Sequence, residues 1–459
     1  MAHFWDFSVW GPFNLMAILL LSLLAANLLK KYIPVLERSL IPSSVLGGGI
    51  LLVISSIYTP ITGKVFFDTA FFGCNGSSIL EIITYHALAL GFIASTFKSG
   101  GGKMTKTRTV EIFNSGVTTV CTYLMQAILG MGISIAAVWL IADFNFPAAG
   151  VLLPFGYGQG TGQALNYGSI YEELGFVGGR SFGLTIAALG FLSASIGGVI
   201  HLNLLKRRGI IIRSAANDGR IASEEVQGEN EIPMFGSMDK MTVQIAFICG
   251  AYLLAFGLMY VLGLLLPGMK SVIFGFNFLL GVLGATLIKM VMNWLNKKGI
   301  IRRKQLNDFL MTRASNCCFD VMVVAGIAAI RLDIVEKYWG MLLVMGVLGA
   351  VATYLYTRKI AVTLFPAYAE EQFLTTYGML TGTASTGIIL LREIDGKFQT
   401  PAADNMVYQN FPAIVFGFPM MLLATLAPEK PALTFGILVA FFLAMNLLLF
   451  RSKIFKKRK

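Results

Sequence analysis

Apolar runs of membrane-crossing length, separated by short polar connections, set the pattern of this chain. An α-helix needs about 20 largely apolar residues to cross a bilayer. Eleven stretches approach or exceed that length: Phe13–Leu29, Leu40–Tyr58, Ile79–Phe97, Val110–Leu140, Ser181–Leu205, Met241–Leu266, Ser271–Trp294, Phe309–Ile330, Trp339–Tyr356, Asn405–Ala427 and Leu433–Phe450. Two further stretches, 147–165 and 373–391, are too rich in Gly and Thr to be ordinary spans. Arg207–Lys240 is the only long polar stretch and reads as a linker between two halves. The predicted fold is an all-α polytopic membrane protein with about eleven transmembrane helices.

Composition agrees. Of 459 residues, 56% are hydrophobic and only 13% charged, with mean hydropathy +0.72. A soluble domain carries about 25% charged residues, so the lipid bilayer is the natural solvent here. The net charge of +12 does not imply a nucleic-acid partner, because the Lys and Arg residues sit in short loops where they set orientation. Suppose that the N-terminus is external and both Gly/Thr-rich stretches are re-entrant, leaving on the side they entered. Then only Lys64, Arg180, Lys270, Arg331, Lys337 and Lys430 of the 36 basic residues lie outside. Lys289 lies within a span and the other 29 fall inside. Letting either stretch cross would move strongly basic loops outward. The expected location is the cell membrane, with a cytoplasmic linker and C-terminus. Met1–Trp10 carries only Asp6 as a full charge, so no cleaved signal peptide is expected.

The two odd stretches resemble one another. Tyr157-Gly158-Gln159-Gly160-Thr161-Gly162-Gln163-Ala164 matches Tyr377-Gly378-Met379-Leu380-Thr381-Gly382-Thr383-Ala384 at five of eight positions, 220 residues apart. Each follows the fourth span of its half. The chain then divides into a first repeat, 1–205; the linker, 206–240; a second repeat of opposite orientation, 241–427; and an extra helix with a basic tail, 428–459. Interrupted segments in corresponding places of inverted repeats mark a transporter site near the midplane. Gly lets the backbone leave the helix and approach a ligand, and such backbone is tolerated in a membrane only where protein or a wet cavity satisfies it.

At these loops the chain resembles the bacterial sodium–glutamate symporter family, itself distantly similar to the sodium–citrate carriers. The likeness rests on Ile41-Pro42-Ser43-Ser44-Val45-Leu46-Gly47-Gly48-Gly49, Gly158-Gln159-Gly160-Thr161-Gly162, Glu173-Leu174-Gly175-Phe176 and Phe411-Pro412. It implies elevator-type symport of sodium with glutamate or a related anionic amino acid, two loops meeting at the substrate, and a homodimer. Tyr157 and Gln159 stand where the family has Gly and His, Met420 where it has Asp, and Asp320 where it has Ser, while Asn316 coincides. Other organic anions, such as dicarboxylates or hydroxycarboxylates, and cation–proton antiport are the alternative readings.

The candidate site comprises Gly158, Gly160, Gly162, Gly378 and Gly382 for close backbone approach, and Gln159 and Asn166 as amides for carboxylate or ammonium. Thr161, Thr381, Thr383, Ser385 and Thr386 offer the hard oxygens that sodium takes, with the ion expected near Thr161, Ser385 and Thr386. Asn316 and Asp320 join them as polar residues within an apolar helix. No cofactor is expected beyond the co-transported sodium ion. The three His and five Cys show no spacing for catalysis or metal, and Gly100-Gly101-Gly102-Lys103 is not a phosphate loop. The chain is therefore expected to be neither an enzyme nor an ATP-driven pump. Single cysteines placed in Arg207–Lys240 should react only with membrane-permeant maleimides in intact cells. Labelling of that linker from outside would end the inverted arrangement.

Overall fold

The computed structural model describes residues 3–98, 105–141, 144–209, 231–234, 237–301, 303–396 and 399–454. Most of the expected linker, 210–230 together with 235 and 236, lies outside the described residues. Helices α1 (Phe7–Tyr32), α2 (Ser43–Thr62), α3 (Gly76–Phe97) and α4 (Lys106–Leu140) lead into the first Gly-rich stretch, which is α5 (Leu152–Glu173). Then come α6 (Gly179–Arg207), α7 (Lys240–Leu265), α8 (Asn277–Lys297), α9 (Asp308–Ala328) and α10 (Trp339–Leu364). The second Gly-rich stretch is α11 (Ala369–Thr381) and α12 (Ala384–Arg392), followed by α13 (Ala402–Tyr408), α14 (Asn410–Leu426) and α15 (Pro431–Leu449). No strand occurs among the described residues, only an isolated bridge between Glu231 and Lys304.

Ten helices are long and apolar enough to cross a membrane, and the pair α13–α14, bent by 50°, makes eleven. The chain is a multi-pass membrane protein. All eleven expected spans have a counterpart, with shifted ends. The span expected at Ser271–Trp294 is broken at Phe276, which separates a short helix, Lys270–Gly275, from α8. Helix α4 has 35 residues, which is about 52 Å of helix and more than the hydrocarbon thickness, so its ends stand clear of the apolar slab. Large apolar side chains stay exposed along α1 (Leu20, Leu21, Leu24, Leu28), α7 (Leu253, Phe256, Tyr260, Leu264) and α10 (Val344, Val347, Val351, Leu355). In a membrane protein such faces are covered by lipid or by another subunit.

Neither Gly-rich stretch continues straight. Phe155 and Tyr167 stack at 3.8 Å between ring centroids, although twelve residues of straight helix would separate them by about 18 Å. The chain folds back between them at Gly160, which has φ 79° and ψ −172°. In the second stretch a Cβ on Gly387 would stand 2.5 Å from the Thr375 carbonyl oxygen. Residues 375 and 387 are the positions equivalent to 155 and 167 under the 220-residue offset. Both stretches are thus helical hairpins. The first turns at Gly160 and the second at Gly382 and Thr383, where the extended backbone of Thr383 (φ −137°, ψ 170°) starts α12.

Anchors fix the hairpins in the bundle. Ser134 of α4 accepts from the Gly150 amide and donates to the Pro147 carbonyl. Tyr167 and Tyr171 donate to the Met421 and Ala424 carbonyls of α14. Arg180 bridges Glu81 (2.8 Å) and Glu172 (3.0 Å), tying the start of α6 to α3 and α5. Glu370 accepts from both terminal guanidinium nitrogens of Arg358 at 2.6 Å and meets His201 at 2.9 Å, tying α11 to α10 and α6. Lys289 of α8 reaches the Thr96 and Lys98 carbonyls at the end of α3. The arms of the second hairpin are packed backbone to backbone, so Gly387→Ala should overpack them. A loss of about 1–3 kcal/mol is expected, read as a lower melting temperature of the purified protein. An unchanged melt would mean that the arms do not pack this closely.

Candidate substrate site at the hairpin tips

The turns of the two hairpins face each other. A Cβ built on Gly160 would find the Thr383 methyl at 3.7 Å and the end of Met322 at 3.8 Å. That spacing is ordinary van der Waals contact, so no steric conflict forbids a side chain at 160. The backbone does: this φ/ψ pair is essentially confined to Gly and costs other residues about 1–3 kcal/mol.

The neighbouring helices satisfy the backbone groups that each turn frees. Tyr123 of α4 donates to the Gly158 carbonyl at 3.0 Å. Gln126, one turn further along α4, donates to the Leu380 carbonyl and to Thr353, both at 2.9 Å. The matched tyrosines converge on Ser193 of α6. Tyr157 meets its hydroxyl at 2.9 Å while donating to the Gly346 carbonyl, and Tyr377 donates to its carbonyl at 2.9 Å. Thr383 caps α12 by accepting from the Thr386 amide.

Beside the tips lies a cavity of about 170 Å³. Gly158, Gln159 and Gln163 line it from the first hairpin, and Met379, Gly382, Thr383 and Ala384 from the second. The rest of the wall comes from α3 (Phe92), α4 (Thr119, Tyr123), α8 (Phe278, Leu279), α9 (Phe319, Met322) and α14 (Phe418, Met421). Gln409, at the bend between α13 and α14, closes one side. Gln163 is 1% exposed, and neither atom of its amide has a hydrogen-bond partner among the described residues. Buried polar groups are rarely left that way. No protein-family model, curated protein or solved structure matches the chain.

The expected site residues divide. Gly158, Gln159, Gly382 and Thr383 line the cavity and Gly160 turns beside it. Thr161 is fully buried, donates to the Met322 carbonyl at 3.3 Å and packs on Gly326, behind the wall. Gly162 packs on Leu88, and Gly378 on Gly387 between the hairpin arms. Thr381 donates to the Tyr377 carbonyl, and Thr386 is buried beside Thr383 at 3.3 Å. The side chain of Ser385 lies outside the described residues. Asn166 donates to the Gly275 carbonyl and holds the short helix before α8, away from the cavity. Asn316 and Asp320 are exposed on α9 and line no part of it, Asp320 lying beside Ser44 of α2.

Among the described residues no group of His, Cys, Asp or Glu could hold a metal. Oxygen pairs of the kind that hard cations take do occur, Thr161 with the Met322 carbonyl and Thr383 with Thr386.

Sequence reading missed Gln163, Tyr123, Thr119 and Gln409. Gln163 stands inside the repeated motif, but its match is Thr383 and carries no shared chemistry. Gln409 was hidden within an apolar run. Here it accepts from Ser115 (2.6 Å) and Thr119 (3.2 Å) of α4, and donates to the Met379 sulfur. From Gln409 a buried polar chain runs through Ser115 to Gln372, on to Asn405, and ends at Arg108 and Glu111. Asn405 also donates to Tyr368, so three side chains depend on it. Asn405→Ala should cost about 1–3 kcal/mol through the partners left unpaired, measured by thermal unfolding. A neutral result would mean that the chain is dispensable.

Proposed function

We propose that the protein is a secondary active transporter whose substrate binds between the two hairpin tips. The observation that carries this reading is the meeting of two fold-back turns, Gly160 and Thr383, at a cavity holding an unpartnered buried amide, Gln163. Paired broken helices at one place are how transporters build a site on backbone groups and helix ends. Channels instead repeat one carbonyl ring around an axis, whereas these two tips present different side chains to one asymmetric cavity.

Coupling to sodium is part of the proposal. The hydroxyl and carbonyl oxygens at the tips suit a hard monovalent cation by analogy with other hard cations, and the resemblance points the same way. In this reading α1, α2, α7 and α8 form a scaffold, which the resemblance implies is shared in a dimer. The two hairpins with α3, α4, α6, α9, α10, α13 and α14 form the body that moves. The anchors described above bind the tips to α4 and α6, within that body. The halves are read as inverted repeats, supported by the matched fold-back contacts at 155/167 and 375/387.

In proteoliposomes, uptake should require an ion gradient and no ATP, and sodium should raise substrate affinity, since each ligand stabilises the site for the other. Gly160→Ala and Gly382→Ala, in protein that remains folded, should lower uptake at least about tenfold, with Thr161→Val also impaired. Near-normal uptake in all three, or affinity indifferent to every cation tried, would overturn the reading.

A further inference from the structure

The cavity also has a chemical character, and it is not that of a dianion site. None of its described lining residues is charged. Its wall is mostly apolar, with Phe92, Phe278, Phe319 and Phe418 beside Met322 and Met379, and Ser95, Gln159 and Asn410 add polar side chains at its edge. Methionine is soft and adapts to varied apolar shapes. Thr119 and Gln409 are occupied with each other, and Thr383 with the cap of α12. Gln163 is the polar lining group that is fully buried and yet unused, with donor and acceptor both open.

A carboxamide offers two N–H donors and a carbonyl acceptor side by side. That pair matches the head of an α-amino acid zwitterion, with carboxylate on the N–H side and ammonium on the carbonyl side. The match holds whichever way round the amide lies. A substrate with a second carboxylate would place it in a wall without a cationic side chain, where only a co-bound sodium ion could balance it, and an unpaired buried charge is strongly disfavoured. A cavity of about 170 Å³ is close to the size that holds one benzene-sized guest. We infer that the substrate is a net-neutral amino acid with an apolar side chain, its zwitterionic head bound by Gln163 and its side chain seated among the phenylalanines and methionines. This rests on the transporter reading and departs from the acidic substrate that the resemblance implies.

The test is uptake into proteoliposomes of labelled leucine, phenylalanine and methionine beside glutamate, aspartate and succinate, each competed with the others. Wild-type protein should take up the neutral set and ignore the acidic set. Gln163→Met, similar in shape but without the amide, should lose at least about tenfold in uptake efficiency at a melting temperature no lower than that of the wild type. Should that variant fail to fold, ligand-induced thermal stabilisation of the wild type decides, with leucine or phenylalanine raising the melting point and glutamate leaving it alone. Uptake confined to the acidic set would overturn the substrate class and leave the transporter reading standing. So would neutral uptake that is undiminished in a folded Gln163→Met protein remove the assignment to Gln163 alone. Protein-dependent movement of no solute at all would overturn both readings.

Discussion

A helix that turns back inside a membrane exposes backbone groups where no bulk water can reach them, and the rest of this structure follows from how they are satisfied. Each unsatisfied group would cost several kcal/mol in that medium. The chain meets the demand with side chains from helices packed around the tips. Tyr123 takes the Gly158 carbonyl, Gln126 the Leu380 carbonyl, and Thr383 the Thr386 amide. Tyr123, Gln126 and Ser134 of α4 face the hairpins and take up their backbone groups, while Ser115 and Thr119 bond Gln409 and Asn114 meets Arg451. A long span rich in Thr, Ser and Gln is thereby the partner that the Gly-rich stretches require.

The same demand separates ligands from supports. Most polar side chains near the tips are already used by the protein: Thr161 on the Met322 carbonyl, Asn166 on the Gly275 carbonyl, Thr381 on the preceding turn. A hydroxyl or amide so engaged would have to exchange a good internal bond for a substrate bond, which returns little net free energy. Gln163 has no such bond to give up. Its burial without a partner is a cost to the empty protein, so an occupant of the cavity that bonded to it would gain more than from a satisfied neighbour of the same chemistry.

The sequence made the spans legible because hydrophobic length is a strong signal, and the hairpins legible because Gly and Thr replace aliphatic residues at two matching places. Inside the site the legibility stops at particular residues. Thr161 and Gln163 are two positions apart in one motif and look equally available, yet one faces Gly326 of α9 and the other the cavity. Local pattern cannot separate them, because the difference lies in which helix packs behind each. Asp320 invited attention as a carboxylate in an apolar helix, but α9 turns Phe319 and Met322 to the cavity and leaves Asp320 beside Ser44. Gln409 sat within an apolar run whose 50° bend brings its side chain to α4.

How the tips are held bears on how they could move. Tyr157 and Tyr377, one from each hairpin, meet the same residue, Ser193 of α6, so displacement of one tip against the other would break buried hydrogen bonds. Across the cavity α8 contributes the apolar surface of Phe278 and Leu279, while the short helix before it is tied to the first hairpin by Asn166. Apolar contacts carry no directional requirement and can be exchanged for others as surfaces slide, whereas oriented hydrogen bonds cannot. On the cavity side the contact between α8 and the tips is of the apolar kind, whereas Asn166 and Lys289 make oriented hydrogen bonds between the same span and the hairpin or α3. Under the transporter reading proposed above, a slide of the tips past α8 would keep Tyr157 and Tyr377 on Ser193 and would have to release the Asn166 bond to Gly275.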